Sequence, residues 1–159
     1  HTIYTRELAE QGALLTHDKD QTVLAMMQLD DVIETKFKTI GPNMTLGVML
    51  RQGVSKSNRN LFPVVNVDGA LMGIVLLDDI REIMFNTDLY DNTFVDSLMQ
   101  VPPEKIFYEK DSMDTIMQKF QKCDAWNLPV IKNGKYLGFV SKSKLLTAYR
   151  NELIYQTTE

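Results

Sequence analysis

Residues 62–75 read FPVVNVDGALMGIV, and residues 128–140 read LPVIKNGKYLGFV. Pro63 and Pro129 lie 66 residues apart, and the same interval separates Ile40 from Ile106. It also separates Leu29-Asp30-Asp31-Val32-Ile33 from Val95-Asp96-Ser97-Leu98-Met99. A self-match of this length means that one supersecondary unit occurs twice, which sets the architecture before any single residue is weighed. Within each stretch, apolar β-formers flank a turn dipeptide, Asp68-Gly69 or Asn133-Gly134. Such dipeptides suit a two-residue hairpin turn, whose central positions both need positive φ. Each stretch therefore reads as a hairpin.

Upstream of each hairpin, apolar residues recur at intervals of three and four: Leu46, Met49 and Leu50 in the first copy, Met113, Ile116, Met117 and Phe120 in the second. That spacing gathers them on one stripe of a helix. A brief strand is expected ahead of each helix, at Ile40 and Ile106. A final helix is expected from about Asp78 or Ser143, burying Ile80, Ile83 and Met84 or Leu145, Leu146 and Tyr149. The fold class is therefore α+β, with two β-α-β-β-α repeats related by pseudo-twofold symmetry. A unit of roughly 60 residues hides its apolar surface poorly by itself, so the copies are expected to pack together. Pro63 and Pro129 are expected at the first position of their strands, where a missing N–H is tolerated. Gly73 and Gly138, in the second strand of each hairpin, mark a close approach of backbone or of ligand. Packing is the plainer of these two readings.

The chain has 159 residues, 44% hydrophobic and 24% charged, the usage of one compact globular body. No stretch approaches the about 20 apolar residues of a membrane-spanning helix, and the polar, charged opening carries no signal-peptide pattern. Lys and Arg number 17 against 21 Asp and Glu, a net charge of −4 that opposes a nucleic-acid binder. Two basic clusters occur, Arg51, Lys56 and Arg59 before the first hairpin and Lys142 and Lys144 after the second. They are either solvated loops or counter-charges for the phosphates of a small nucleotide. Cys123 has no partner for an internal disulfide and reads as a small apolar filler in a reducing compartment. His17, between Asp18 and Asp20, lacks the converging ligands a metal needs. Asp78, Asp79 and Glu82 sit at a helix start, where the dipole favours carboxylates by about 0.3–1 kcal/mol each without any catalysis. Neither a catalytic nor a metal-binding residue is expected, and the chain reads as a sensor or scaffold.

The paired units, each entering its hairpin through hydrophobic-Pro-Val and leaving through Gly-hydrophobic-hydrophobic into a helix, resemble a tandem of cystathionine β-synthase (CBS) motifs over Leu29 to about Arg150. The segments IYTRELAEQGALLTHDKD (3–20), LFPVVNVDGALMGIVLLDDIREIMF (61–85) and AWNLPVIKNGKYLGFVSKSKLLTAYR (125–150) further resemble the cytoplasmic tail of bacterial CLC-type chloride channels and transporters. The resemblance implies a leader over 1–28, a first CBS motif over 29–90 and a second, with its C-terminal helix, over 91–159. It also implies an adenine nucleotide, AMP, ADP or ATP, as ligand. In nucleotide-binding CBS motifs the pattern Gly-h-h-Thr/Ser-x-x-Asp puts a hydroxyl near phosphate and an acid on the ribose. The first copy has Gly73, Leu76 and Asp79 at these positions; the second has Gly138, Ser141 and Lys144. Each copy keeps half of the pattern, because leucine and lysine accept no hydrogen bond through their side chains. Asp79 is thus the candidate for ribose, Phe62 and Pro63 are candidate neighbours of an adenine ring, and Ser141 is the candidate hydroxyl.

The leader carries a short expected helix at Ile3 to Gln11, a polar turn at Thr16 to Asp20, and an apolar patch at Val23, Leu24, Met26, Met27 and Leu29. By the same resemblance it links the module to a membrane-embedded part of the same chain, which places the module on the cytoplasmic side of an inner membrane. A nucleotide-sensing CBS pair on an unrelated host, a metabolic enzyme or a magnesium transporter, is the alternative. Either way the resemblance implies a homodimer, with Ile80, Ile83, Met84, Leu145, Leu146 and Tyr149 as its expected contact face.

Overall fold

The computed structural model describes residues 20–158. The helix expected at Ile3 to Gln11 and the His17-Asp18 pair lie outside these residues. The leader contributes α1 (20–26), whose Val23 and Leu24 are buried. The first repeat follows with β1 (Ile33–Glu34), α2 (Leu46–Gln52), the hairpin β2 (Leu61–Val65) and β3 (Leu71–Leu76), and α3 (Leu77–Ile80). After α4 (Val95–Leu98) come β4 (Ile106–Phe107), α5 (Met113–Lys122), the hairpin β5 (Asn127–Lys132) and β6 (Lys135–Ser141), and α6 (Lys142–Thr158).

The two middle helices start on hydroxyl caps: Thr45 accepts from Val48 N–H at 3.3 Å, and Ser112 accepts from Thr115 N–H at 3.2 Å. Their expected stripes face inward. Leu46 and Met49 are fully buried with Ile40, Phe62, Val64, Val75, Ile80 and Val95 in the core of the first repeat. Met113, Ile116 and Phe120 pack with Ile106, Leu128, Val130, Val140 and Leu145 in that of the second. A third cluster, centred on Leu61, Ile74 and Phe139, joins residues of both hairpins.

The strands that complete each sheet are exchanged between the repeats. Ile40 bridges Val64 in parallel and β4 pairs in parallel with β5, so each repeat's expected first strand does lie beside its own hairpin. The other edge comes from elsewhere. β1, at the start of the first repeat, pairs antiparallel with β6 of the second, Glu34 opposite Phe139. Gln100, near the start of the second, bonds Ile74 of the first through N–H···O contacts of 2.8 Å in both directions. The two hairpin glycines exist for this exchange: a Cβ on Gly138 would stand 2.3 Å from the Glu34 carbonyl oxygen, and one on Gly73 would stand 3.0 Å from that of Gln100. Close backbone packing, not a ligand, is what they admit.

Several local expectations need correction. Asn133 and Gly134 both have positive φ, as a two-residue turn requires, but in the first hairpin only Gly69 does. That turn is one residue longer and is organised by Asn66, whose side-chain oxygen accepts from Asp68 N–H and Ala70 N–H at 3.0 and 2.9 Å. Pro63 and Pro129 stand third in their strands, not first. At Pro63 the missing donor faces the edge where β2 meets only Ile40, whose N–H is taken up by the Pro63 carbonyl at 3.0 Å, so no ladder bond is lost. The final helix of the first repeat is a single turn, while that of the second runs 17 residues. Ile80 and Leu145 are fully buried inside their own cores and so cannot form a contact face; Leu146 is exposed. Cys123 is half-buried and directs its Sγ to the Lys119 carbonyl at 3.2 Å.

Candidate functional site

The backbone exchange leaves a cleft of about 560 Å³ between the repeats. Its apolar lining is Leu61, Ile74 and Leu76 from the first hairpin, with Pro103, Ala125 and Trp126. Polar groups come from Asn60, Asp78, Gln100, Asp124 and Asn127. Trp126, the only tryptophan in the chain, is 72% exposed. The Lys142 ammonium lies 5.6 Å from its ring centroid, within the roughly 6 Å reach of a cation over an aromatic face. Among the described residues no lysine or arginine lines the cleft itself. An apolar slot flanked by amide and carboxylate groups suits a planar heterocycle with hydroxyls attached.

Asp79 stands in the first turn of α3, exposed, beside the lining residue Asp78. Its Oδ2 accepts from Gln100 Nε2 at 3.1 Å, so the cleft residue Gln100 holds the carboxylate at the edge of the cavity. Ser141 is half-buried and ends β6; its Oγ accepts from Lys144 N–H at 3.0 Å, the bond that caps α6. It does not line the cleft. Nor do Phe62 and Pro63. Successive side chains along a strand point to opposite faces, and Phe62, with Val64, faces the helices and is fully buried among them. The cleft takes the neighbouring Leu61 instead, and Pro63 is buried within the strand. The signal that could have found Leu61, Ile74 and Leu76 was the two-residue alternation of the hairpin strands, and the signal for Trp126 was a solitary tryptophan directly ahead of the second hairpin.

The basic clusters divide. Lys142 flanks the cleft, whereas Lys144 Nζ stands 3.7 Å from Glu34 Oε1 and Arg59 Nη1 stands 3.0 Å from Glu34 Oε2. Lys56 joins Lys36 and Lys38 along a separate surface groove, and Arg51 is exposed. Near Arg59, the Tyr136 hydroxyl is buried with no hydrogen-bond partner among the described residues. Burial pushes that phenol well above its ordinary pKa, and the Arg59 charge pulls it only partly back.

The family model for the CBS domain matches residues 29–86 and 95–151. The chain therefore belongs to the CBS domain family and is a tandem CBS pair. Among solved structures it is similar to CbpB in complex with c-di-AMP, at 19% identity and a TM-score of 0.67, covering 89% of this chain and 95% of that one. The CBS domain of a CBS domain containing membrane protein from Sphaerobacter thermophilus gives 19% identity and a TM-score of 0.66, with 89% and 97% covered. The cytosolic domain of the Mg2+ channel MgtE in complex with ATP gives 19% and 0.61, covering 79% of this chain and 51% of that one. Comparison with curated proteins finds no match. Among the described residues no helix is long and apolar enough to cross a membrane.

Proposed function

We propose that this CBS pair is a regulatory module that senses an adenine nucleotide, and that the nucleotide enters base first. The observation that carries the reading is the cleft between the repeats: an apolar slot of Leu61, Ile74, Leu76 and Trp126, with the Asp79 carboxylate held at its edge by Gln100. The base lies in the slot, ribose hydroxyls donate to Asp79, and a phosphate faces Lys142 at the mouth. Asp78 and Asp124 in the lining oppose further negative charge, so AMP binds at least as well as ATP. Solved CBS structures in complex with c-di-AMP and with ATP support the ligand class. The test is a thermal melt with millimolar AMP, ADP or ATP: a ligand that binds only the folded state raises stability by RT ln(1 + [L]/Kd). No rise with any of the three overturns the reading.

The host favoured by the extended resemblance of residues 3–20, 61–85 and 125–150 is a CLC-type chloride channel or transporter, with this module on the cytoplasmic side of the inner membrane. An unrelated host such as a magnesium transporter is the second reading, supported by the likeness to the MgtE cytosolic domain. The module works as a homodimer. Its contact surface is formed by Phe85, after α3, and by Leu146, Ile154 and Tyr155 on α6, which are 82%, 45%, 52% and 58% exposed. Light scattering at high micromolar concentration checks this, and a strictly monomeric species overturns it.

A further inference from the structure

A duplicated fold has two equivalent clefts, and here one of them is filled. Stepping 66 residues back from Gln100, Pro103 and Ala125 gives Glu34, Phe37 and Arg59, and stepping 65 forward from Ile74 gives Phe139. All four starting residues line the open cleft. Their four counterparts pack on one another. The Phe37 and Phe139 rings are 4.8 Å apart at their centroids, the Arg59 guanidinium lies 4.5 Å above the Phe37 ring, and Arg59 pairs with Glu34 at 3.0 Å. Lys144 approaches the other Glu34 oxygen at 3.7 Å. Phe37 and Phe139 belong to the same apolar cluster as Leu61 and Ile74, so the filled position and the wall of the open cleft form one body.

We infer that the second cleft is closed by the chain's own Phe37 and Arg59, which put a planar ring and a charge where a ligand's would stand, so that each chain takes up one small ligand and not two. The substitutions run in one direction. Proline and alanine leave space where phenylalanine and arginine take it, and Gln100 carries no charge where Glu34 supplies the carboxylate that holds the guanidinium. Arg59 is only partly exposed, and its cation gains from the aromatic face beneath it and from the carboxylate beside it. Glu34 is also the last residue of β1, so the plug fastens the exchanged strand that follows the leader.

Removing Arg59 exposes a site made for a guanidinium group. Arg59→Ala is expected to melt below the unsubstituted protein and to regain several degrees in millimolar methylguanidinium relative to sodium chloride, while the unsubstituted protein gains nothing. An equal response of the two proteins overturns the inference. A second variant does not depend on that fold surviving: Ala125→Arg with Pro103→Phe puts the plug's ring and guanidinium into the open cleft and leaves the Gln100–Asp79 hydrogen bond in place. It is expected to melt no lower than the parent and to lose any AMP-induced rise. A fall of several degrees shows that the clefts are not equivalent and overturns the inference. The ligand count rests on the nucleotide reading above, and calorimetric titration is expected to give one AMP per chain. Two per unsubstituted chain overturns the inference. No AMP binding at all overturns the nucleotide reading, while the methylguanidinium comparison still decides the plug.

Discussion

Gln100 Nε2 donates to Asp79 Oδ2 at 3.1 Å, and the positions equivalent to them, Glu34 and Lys144, form an ion pair at 3.7 Å. In both repeats the residue at the start of the last helix thus reaches the strand received from the other repeat. A ligand that takes hold of Asp79 therefore competes with a bond that joins the two halves. Asp79→Ala removes a solvent-exposed hydrogen bond, so the unliganded melting temperature is expected to move little, by the equivalent of about 0.5 kcal/mol. The AMP-induced rise is expected to disappear. Calorimetry with and without AMP checks both, and retention of the full rise removes Asp79 from the site.

Gly138→Ala is expected to be more damaging than Gly73→Ala. A Cβ on Gly138 would overlap the Glu34 carbonyl oxygen at 2.3 Å, and only movement of backbone relieves it. At Gly73 the nearest atoms stand at 3.0 Å, one of them the flexible Met99 sulfur. Overpacking of this kind costs about 1–3 kcal/mol, with Gly138→Ala expected at the upper end. Urea unfolding of the two variants gives the order directly.

Asp111 carries more than one bond. Its Oδ2 accepts from Phe107 N–H at 2.8 Å and from Lys119 Nζ at 2.7 Å, with the two side chains 6% and 16% exposed. Asp111→Ala leaves the Phe107 amide without its acceptor and the mostly buried ammonium with the Lys105 carbonyl, at 2.6 Å, in place of a counter-charge, and the expected loss is about 3 kcal/mol. Lys119→Met is expected to cost less, because the carboxylate keeps its amide partner and the methionine still fills the space over Phe107. Equal losses for the two would count against this account.

The fold is expected to weaken as pH rises from about 10 toward 12. Burial first, then the hydrogen bond to Asp20 and its charge, push the Tyr149 phenol up to about 12. Tyr108 is raised by its hydrogen bond to Asp30 and Tyr136 by burial. Since the unfolded chain loses these protons near pH 10 and the folded chain holds them longer, the stability they lend is complete below pH 10 and is lost as pH climbs through the folded values. Tyr149→Phe is expected to flatten that decline in denaturant melts at pH 9 to 12. Tyr136→Phe is expected to raise stability at neutral pH, by about 1 kcal/mol, since it removes a buried hydroxyl with no partner.

The repeat, both hairpins and the inward stripes of α2 and α5 were legible in the sequence, because periodic burial and turn chemistry are written in consecutive residues. The strand exchange was not: β1 is two residues long and the contribution of Gln100 is one bridge, too little for any pattern. The glycines held the only trace of it. For the cleft, Asp79 was singled out through resemblance and stands beside the lining residue Asp78, while Phe62 was chosen where Leu61 lines the cavity. A strand reverses its facing at every residue, so an error of one position moves a side chain from the site into the core. Phe37 and Arg59 drew no attention as a pair because 22 residues of chain separate them.

Because each hairpin completes its sheet with a strand belonging to the other half, a chain with only one repeat would have a leading strand and a vacant hairpin edge that only a second molecule could satisfy. A single repeat would be complete only as two separate chains in mutual embrace, an arrangement that dilution undoes. Joining the two end to end replaces that concentration-dependent encounter with a tether, which holds partners at an effective concentration in the millimolar range. It also lifts the obligation to be identical, and the equivalent positions Phe37 and Pro103 carry different residues.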